Sequence, residues 1–323
     1  MASRESKPFC VEKVGVSDSL LPCNSNNSNK NVFYPIHDAG GNGGGIVPRR
    51  IPPLVEGILP ISQSSFSLVG SGVELSRCGS YFTVGCLNVE DHKGMNLDGV
   101  NMDGKAYLER VKYSCHRPLC PTCWTDWANR EVKKAVKRLD SYRLKGRSVK
   151  PVHVIVSVPT VDFGLSLEIM RKKAYSVLKR VHCHGGVVIY HPFRQKKDKS
   201  WYFSPHFHVV GYGWIMDIRA NYVHSGYVVK NVGIRKTLAG TLFYQLSHCG
   251  VDGKHHTVTW FGSLSYNRLH VRYECEDRLC PICRGKLYRL IWVGNGEMPL
   301  IDVEGVGFFD DPENWVRWRF DVG

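Results

Sequence analysis

The stretch Ser204-Pro-His-Phe-His-Val-Val-Gly-Tyr-Gly213 decides how this chain is read. His206 and His208 flank one apolar residue inside a run with the composition of a buried strand. A strand alternates faces with period two, so both imidazoles leave the same side of the sheet and can grip one divalent ion. The pattern by itself is weak. With 14 histidines in 323 residues, chance alone yields roughly 0.6 His-x-His occurrences, and His182-Cys183-His184 is a second instance. The surroundings must carry the case.

Upstream, His153-Val-Ile-Val-Ser-Val158 followed by Pro159 predicts a strand, and residues 165–181 predict an amphipathic helix. Residues 186–190 predict an apolar strand that pairs with 201–210 across the basic loop 194–200. Downstream, residues 236–248 predict a helix closed by Gly250, and 258–261 a short strand. The order strand, helix, strand, strand, helix, strand predicts an α+β unit built on a central antiparallel sheet with flanking helices. On the second helix Leu238, Leu242 and Leu246 recur every four residues and should face the core. Tyr244 falls on the opposite side, in a polar stripe with Thr237, Thr241 and His248.

Two cysteine groups share one spacing: Cys115-x4-Cys120-Pro-x-Cys123 and Cys275-x4-Cys280-Pro-x-Cys283. Cys-Pro-x-Cys makes a tight turn whose thiolates can share a zinc ion. A closed structural site needs four ligands. Cys86 or Cys78 can complete the first set; His270 is the nearest complement for the second and Cys249 a distant one. Twelve cysteines in a chain without a signal-like apolar N-terminus favour metal over disulfides and an intracellular setting. No apolar run reaches the length of a membrane span.

The net charge is +14, of which the first 70 residues supply only +1, six Lys and Arg against five Asp and Glu. Such a balance favours a polyanionic partner, nucleic acid first. Residues 125–145 predict a helix with Arg130, Lys133, Lys134, Lys137 and Arg138 on one face. Lys133, Lys134, Lys137 and Arg138 are the expected DNA-backbone contacts. Residues 1–70, with a Ser/Asn tract at 24–29 and glycines at 40–45, read as a low-complexity, disordered tail. Residues 74–145 hold a zinc-binding element and the basic helix, 150–265 the histidine-bearing domain, and 270–323 a zinc-ribbon-like element with an acidic tail.

A His-apolar-His strand followed by a tyrosine-bearing helix resembles the HUH endonucleases. The Cys-x4-Cys-Pro-x-Cys-Trp segment, His-Pro-Phe-Arg at 191–194, Ser-Pro-His-Phe-His at 204–208 and Tyr-Gln-Leu-Ser-His-Cys-Gly at 244–250 resemble rolling-circle replication initiators of archaeal plasmids and viruses over about residues 74–285. The resemblance implies a single-strand nickase in which His206 and His208 hold Mg²⁺ or Mn²⁺ and Tyr244 is the nucleophile. It also implies a third metal ligand from a neighbouring strand, for which His191 is favoured over Asp198. His248, one turn beyond Tyr244, would handle the proton or contact phosphate. Tyr222 and Tyr227 are rival nucleophiles. The implied partner is single-stranded DNA at an origin. No P-loop motif occurs, so a helicase, like the polymerase, would come from the host. An HUH transposase and a non-catalytic zinc-ribbon DNA-binding protein are the competing readings.

Overall fold

The computed structural model describes residues 66–95, 99–143, 150–234, 236–273, 278–299 and 306–318. Of the tail expected over 1–70, residues 1–65 lie outside that range. Residues 66–70 belong to the folded part: Phe66 is buried against Tyr190, ring centroids 5.1 Å apart.

In chain order the elements are β1 (Ser67–Leu68), β2 (Tyr81–Cys86), β3 (Ala106–Lys112), α1 (Trp124–Arg143), β4 (Val152–Ser157), α2 (Leu167–Arg180), β5 (Cys183–Gln195), β6 (Trp201–Gly213), α3 (Ile218–Ser225), β7 (Val228–Asn231), α4 (Leu238–Leu246), β8 (Gly250–Val251), β9 (Val258–Gly262), β10 (Tyr288–Trp292), β11 (Gly307–Asp310) and β12 (Trp315–Arg317). The class is α+β with antiparallel sheets, as the element order predicts.

The central sheet runs β7-β4-β6-β5-β9, every pair antiparallel. Its two faces separate by the strand period. Val154, Val156, Val188, Tyr190, Phe207 and Val209 turn to one side and pack with Met170, Ala174, Val177 and Leu178 of α2. Val187, Ile189, Val210 and Tyr212 turn to the other and pack under α1 and α4. Each of these large side chains contributes roughly 1.5–3 kcal/mol by full burial. A one-residue slip of β6 would place Phe207 among the polar groups and the imidazoles in the α2 core, so burial fixes the register.

Helix ends follow local chemistry. Ser166 caps α2 by accepting from the Ile169 N–H, and Thr237 caps α4 by accepting from the Gly240 N–H. Lys179 and Arg180 sit at the C-terminal end of α2, where the helix dipole favours cations. The helix expected to run to 248 and close at Gly250 instead ends at Leu246 with Ser247 as C-cap; Gly250 opens β8, where a side chain would run into the Pro192 ring. The helix α3 was not expected. It buries only Asn221, so it carries no apolar stripe to read.

A second sheet runs β11-β3-β2-β10-β12. It joins segments from both flanks of the central domain, β2 and β3 from one side and β10 to β12 from the other. The stretches 74–145 and 270–323, separate in the sequence reading, therefore meet in one sheet. No described helix is long and apolar enough to cross a membrane.

Candidate metal centres and active site

Two four-ligand sets assemble around the second sheet and the start of α1. Cys78, Cys115, Cys120 and Cys123 form the first, and Cys86, His92, Cys280 and Cys283 the second. In each, the ligand atoms lie within 4.8 Å of one another, the donor set and closeness that a closed tetrahedral zinc site requires. Both can hold a zinc ion.

This corrects the pairing expected from spacing. Cys86 belongs to the second set, because β2 pairs with β10 and carries it to the Cys280-Pro-x-Cys283 turn; its sulfur is 3.5 Å from that of Cys283. Cys78 completes the first. His92 is the ligand that sequence reading missed. Its Nδ1 sits 2.7 Å from the Lys105 carbonyl, so an Nδ1–H donated there leaves Nε2 free to ligate, 3.4 Å from the Cys280 sulfur. Cys275 lies outside the described residues. His270 is exposed and Cys249 donates its thiol to the Leu246 carbonyl; neither joins a set.

The electrostatics fit structural sites. Burial pushes the Cys86 and Cys123 thiols up to about 12, so in the absence of an ion these sulfurs stay protonated. Burial also raises Cys115, but Arg117, donating from side chain and backbone, outweighs it and brings that thiol to about 7. The first knuckle feeds straight into α1, whose Trp124 and Trp127 N–H groups donate to the Cys120 and Cys123 carbonyls.

The third cluster is imidazole. The alternation of β6 puts His206 and His208 on the face beneath α1 and α4, and His191 on β5 stands directly opposite His206. His191, His208 and His248 bring their ring nitrogens within 4.8 Å of one another. Ring centroids are 4.3 Å apart for His191–His208 and 4.5 Å for His191–His248. His206 adjoins this group, 5.2 Å from His191 and 5.1 Å from His208, with its Nδ1 engaged by the Ser204 carbonyl at 2.8 Å. The structure thus places His248, as well as the expected His191 and His208, in the tight group, with His206 at its margin. Asp198 does not take part: it is exposed and accepts from the Ser200 N–H and hydroxyl.

His191, His206 and His208 are held neutral. Burial, reinforced by the neighbouring imidazoles, keeps His191 and His208 well below the ordinary histidine value. Burial, with the Arg194 guanidinium nearby, brings His206 down to about 3. Neutral imidazole is the ligating form. His191 supplies the sharpest test of fit: the residue is wholly buried and neither ring nitrogen has a hydrogen-bond partner. Such orphaned nitrogens are costly unless something binds them. His153, also missed in the sequence, places Nε2 2.9 Å from His208 Nδ1.

Helix α4 delivers the tyrosine. Tyr244 is 44% exposed, and its ring lies 4.7 Å from that of His248 one turn on. Neighbouring Gln245 is fully buried with neither amide atom hydrogen-bonded, a feature that apolar periodicity does not reveal. Of the rival tyrosines, Tyr222 is exposed on α3 and Tyr227 is buried in the opposite core.

Among the expected DNA contacts, Lys133, Lys134 and Lys137 are exposed on α1. Arg138 is not: it is 1% exposed and donates to the Leu264 and Leu269 carbonyls at 2.7 and 2.6 Å.

Comparison with protein-family profiles, curated proteins and solved structures gives no match.

Proposed function

We propose that this protein is a single-strand DNA nickase and strand transferase of the HUH type, acting as a rolling-circle replication initiator. The observation that carries this reading is the edge-to-face contact of Tyr244 on α4 with His248 just past its end, His248 itself lying close to His191 and His208 of the sheet. A chance surface tyrosine has no reason to stand beside a buried, neutral histidine cluster. The charge of +14 supports a polyanionic substrate.

The division of labour follows from the side chains. In this proposal His191 and His208 would hold a divalent ion, His153 would orient His208, and His206 and Arg194 would border the site. A bound Mg²⁺ or Mn²⁺ would supply Lewis-acid polarisation of the scissile phosphate. The Tyr244 phenolic oxygen forms a bond to phosphorus while the bond to the 3′ oxygen breaks. The phenol proton ends, in net terms, on that 3′ oxygen. The products are a 5′-phosphotyrosine and a free 3′-OH able to prime synthesis by a host polymerase. The phosphodiester is conserved, so the reverse attack rejoins the strand without a nucleotide cofactor. Free phenols titrate near 10, so activation is needed, and His248 is the adjacent group for it. The two zinc sites are structural in this account.

The test is adduct formation. Incubated with a random-sequence single-stranded DNA pool and Mn²⁺, the protein should yield a species that survives a denaturing gel. It should vanish with Tyr244→Phe and persist with Tyr222→Phe. Persistence of the adduct in Tyr244→Phe would refute the assignment.

A further inference from the structure

A recess lies on the same sheet face as the histidines. On edge strand β9, Val258 stands opposite Ile189 and Trp260 opposite Val187. With Tyr266, Tyr273 and, from α1, Glu131 and Lys134, they line a pocket of ≈ 220 Å³. Two of its rings face solvent, Tyr266 at 61% and Tyr273 at 45% exposure.

The walls are built, not incidental. The buried Arg138 guanidinium lies 5.1 Å from the Trp260 ring and 4.7 Å from the Tyr266 ring. By donating to the Leu264 and Leu269 carbonyls it also pins the turn that carries Tyr266. The Tyr273 hydroxyl donates to the Lys134 carbonyl at 3.4 Å, and Lys137 Nζ sits 6.0 Å from the Tyr273 ring. Lys133, Lys134 and Lys137 make the adjoining helix face basic; Lys134 pairs with Glu131 at 3.1 Å.

We propose that this pocket takes one unpaired nucleobase of single-stranded DNA, stacked against Trp260, Tyr266 and Tyr273, with the lysines of α1 following the phosphates. This rests on the nickase reading for its substrate and deepens it. Aromatic platforms beside a basic track are how single strands are held, because every base offers a π face. The volume lies below the ~300–1,000 Å³ of pockets for drug-sized ligands and suits a single flat ring system. Val187, opposite Trp260, is four residues before His191 on β5, or ~13 Å at ~3.3 Å per residue. A strand cut at the histidine cluster therefore reaches the pocket within a few nucleotides.

The test uses fluorescein-labelled oligothymidylate, read by anisotropy, and the same oligonucleotide carrying 5-iodouracil for photocrosslinking. Tyr266→Ala and Tyr273→Ala remove exposed rings and should leave the fold intact, as circular dichroism would verify. Each should weaken binding about tenfold, while Tyr266→Phe, which keeps the ring, should bind like the unaltered chain. The crosslink should fall on the peptides bearing Trp260, Tyr266 or Tyr273. Unchanged affinity in both alanine variants, or crosslinks confined elsewhere, would overturn the pocket assignment. The Tyr244 adduct assay separates the two claims: pocket loss with an intact adduct leaves the nickase reading standing. A mapped crosslink without any adduct leaves only the pocket.

Discussion

His153 Nε2 lies 2.9 Å from His208 Nδ1, both rings buried. The contact assigns the ligating atom. If His208 coordinates through Nε2, its Nδ1–H donates to His153, which fixes both tautomer and ring orientation. His153→Ala should therefore weaken Mn²⁺ binding about 10–100-fold, the usual effect of losing a group that orients a metal-bound histidine. Calorimetric titration checks this, and affinity equal to that of the unaltered chain would show that His153 is only a core residue.

Zinc content distinguishes the two cysteine sets. The chain should carry two zinc ions by elemental analysis. Cys78→Ser should remove one, and His92→Ala the other, whereas His92→Cys should retain both. Cys275→Ser should also leave two, because the second set closes with Cys86, His92, Cys280 and Cys283. Structural zinc contributes apparent folding energies of about 10–16 kcal/mol at neutral pH, so chelation should lower the melting temperature sharply.

The buried imidazoles predict an acid dependence of stability. The folded-state values of His191, His206 and His208 are depressed, that of His206 to about 3. As pH falls, the unfolded chain takes up protons first. Stability from these groups is thus fully present above the unfolded value near 6.5 and is lost as pH drops from there through the folded values. Each contributes a slope of up to ~1.4 kcal/mol per pH unit over that window. Urea unfolding at about pH 7 and about pH 5, without added Mg²⁺ or Mn²⁺, should show His206→Asn losing less stability on acidification than the unaltered chain. Parallel losses would refute the depressed value.

Arg138 predicts a stability effect where a DNA contact was expected. Arg138→Ala leaves the Leu264 and Leu269 carbonyls unpaired in a buried setting, at about 1–3 kcal/mol for each buried acceptor left unsatisfied. Lys133→Ala, on the exposed face, should stay within about 0.5 kcal/mol. Thermal unfolding of the two variants compares them directly.

Much of the central domain is legible because its signals are local. The strand period in 204–213 turns His206 and His208 to one face, as the pairing of β5 with β6 shows, and Tyr244 lies beside His248; of the polar stripe expected on 236–248, however, Thr241 is buried and His248 falls past the end of α4. What escapes is non-local. Nothing in the spacing of Cys78 and Cys86 says which crosses to residues 280–283, because that depends on β2 pairing with β10, some 200 positions away. His92 joins the second set through a fold-dependent contact of its Nδ1 with the Lys105 carbonyl, which no sequence spacing reveals. Arg138 borders the apolar stripe of α1 at Ala135 and Leu139, and its burial depends on two carbonyls far along the chain. His153 reads as one more residue at the start of an apolar strand until β4 is laid beside β6.

The proposed reaction joins Tyr244 covalently to a 5′ phosphate. The most direct measurement is mass spectrometry of the peptide left on DNA after reaction with a random-sequence single-stranded pool and Mn²⁺, followed by nuclease and protease digestion. The expected product is a nucleotide-bearing peptide that spans residues 237–248, modified on Tyr244. A modified peptide carrying Tyr222, Tyr227 or another residue in its place, or no DNA-linked peptide at all, would contradict it.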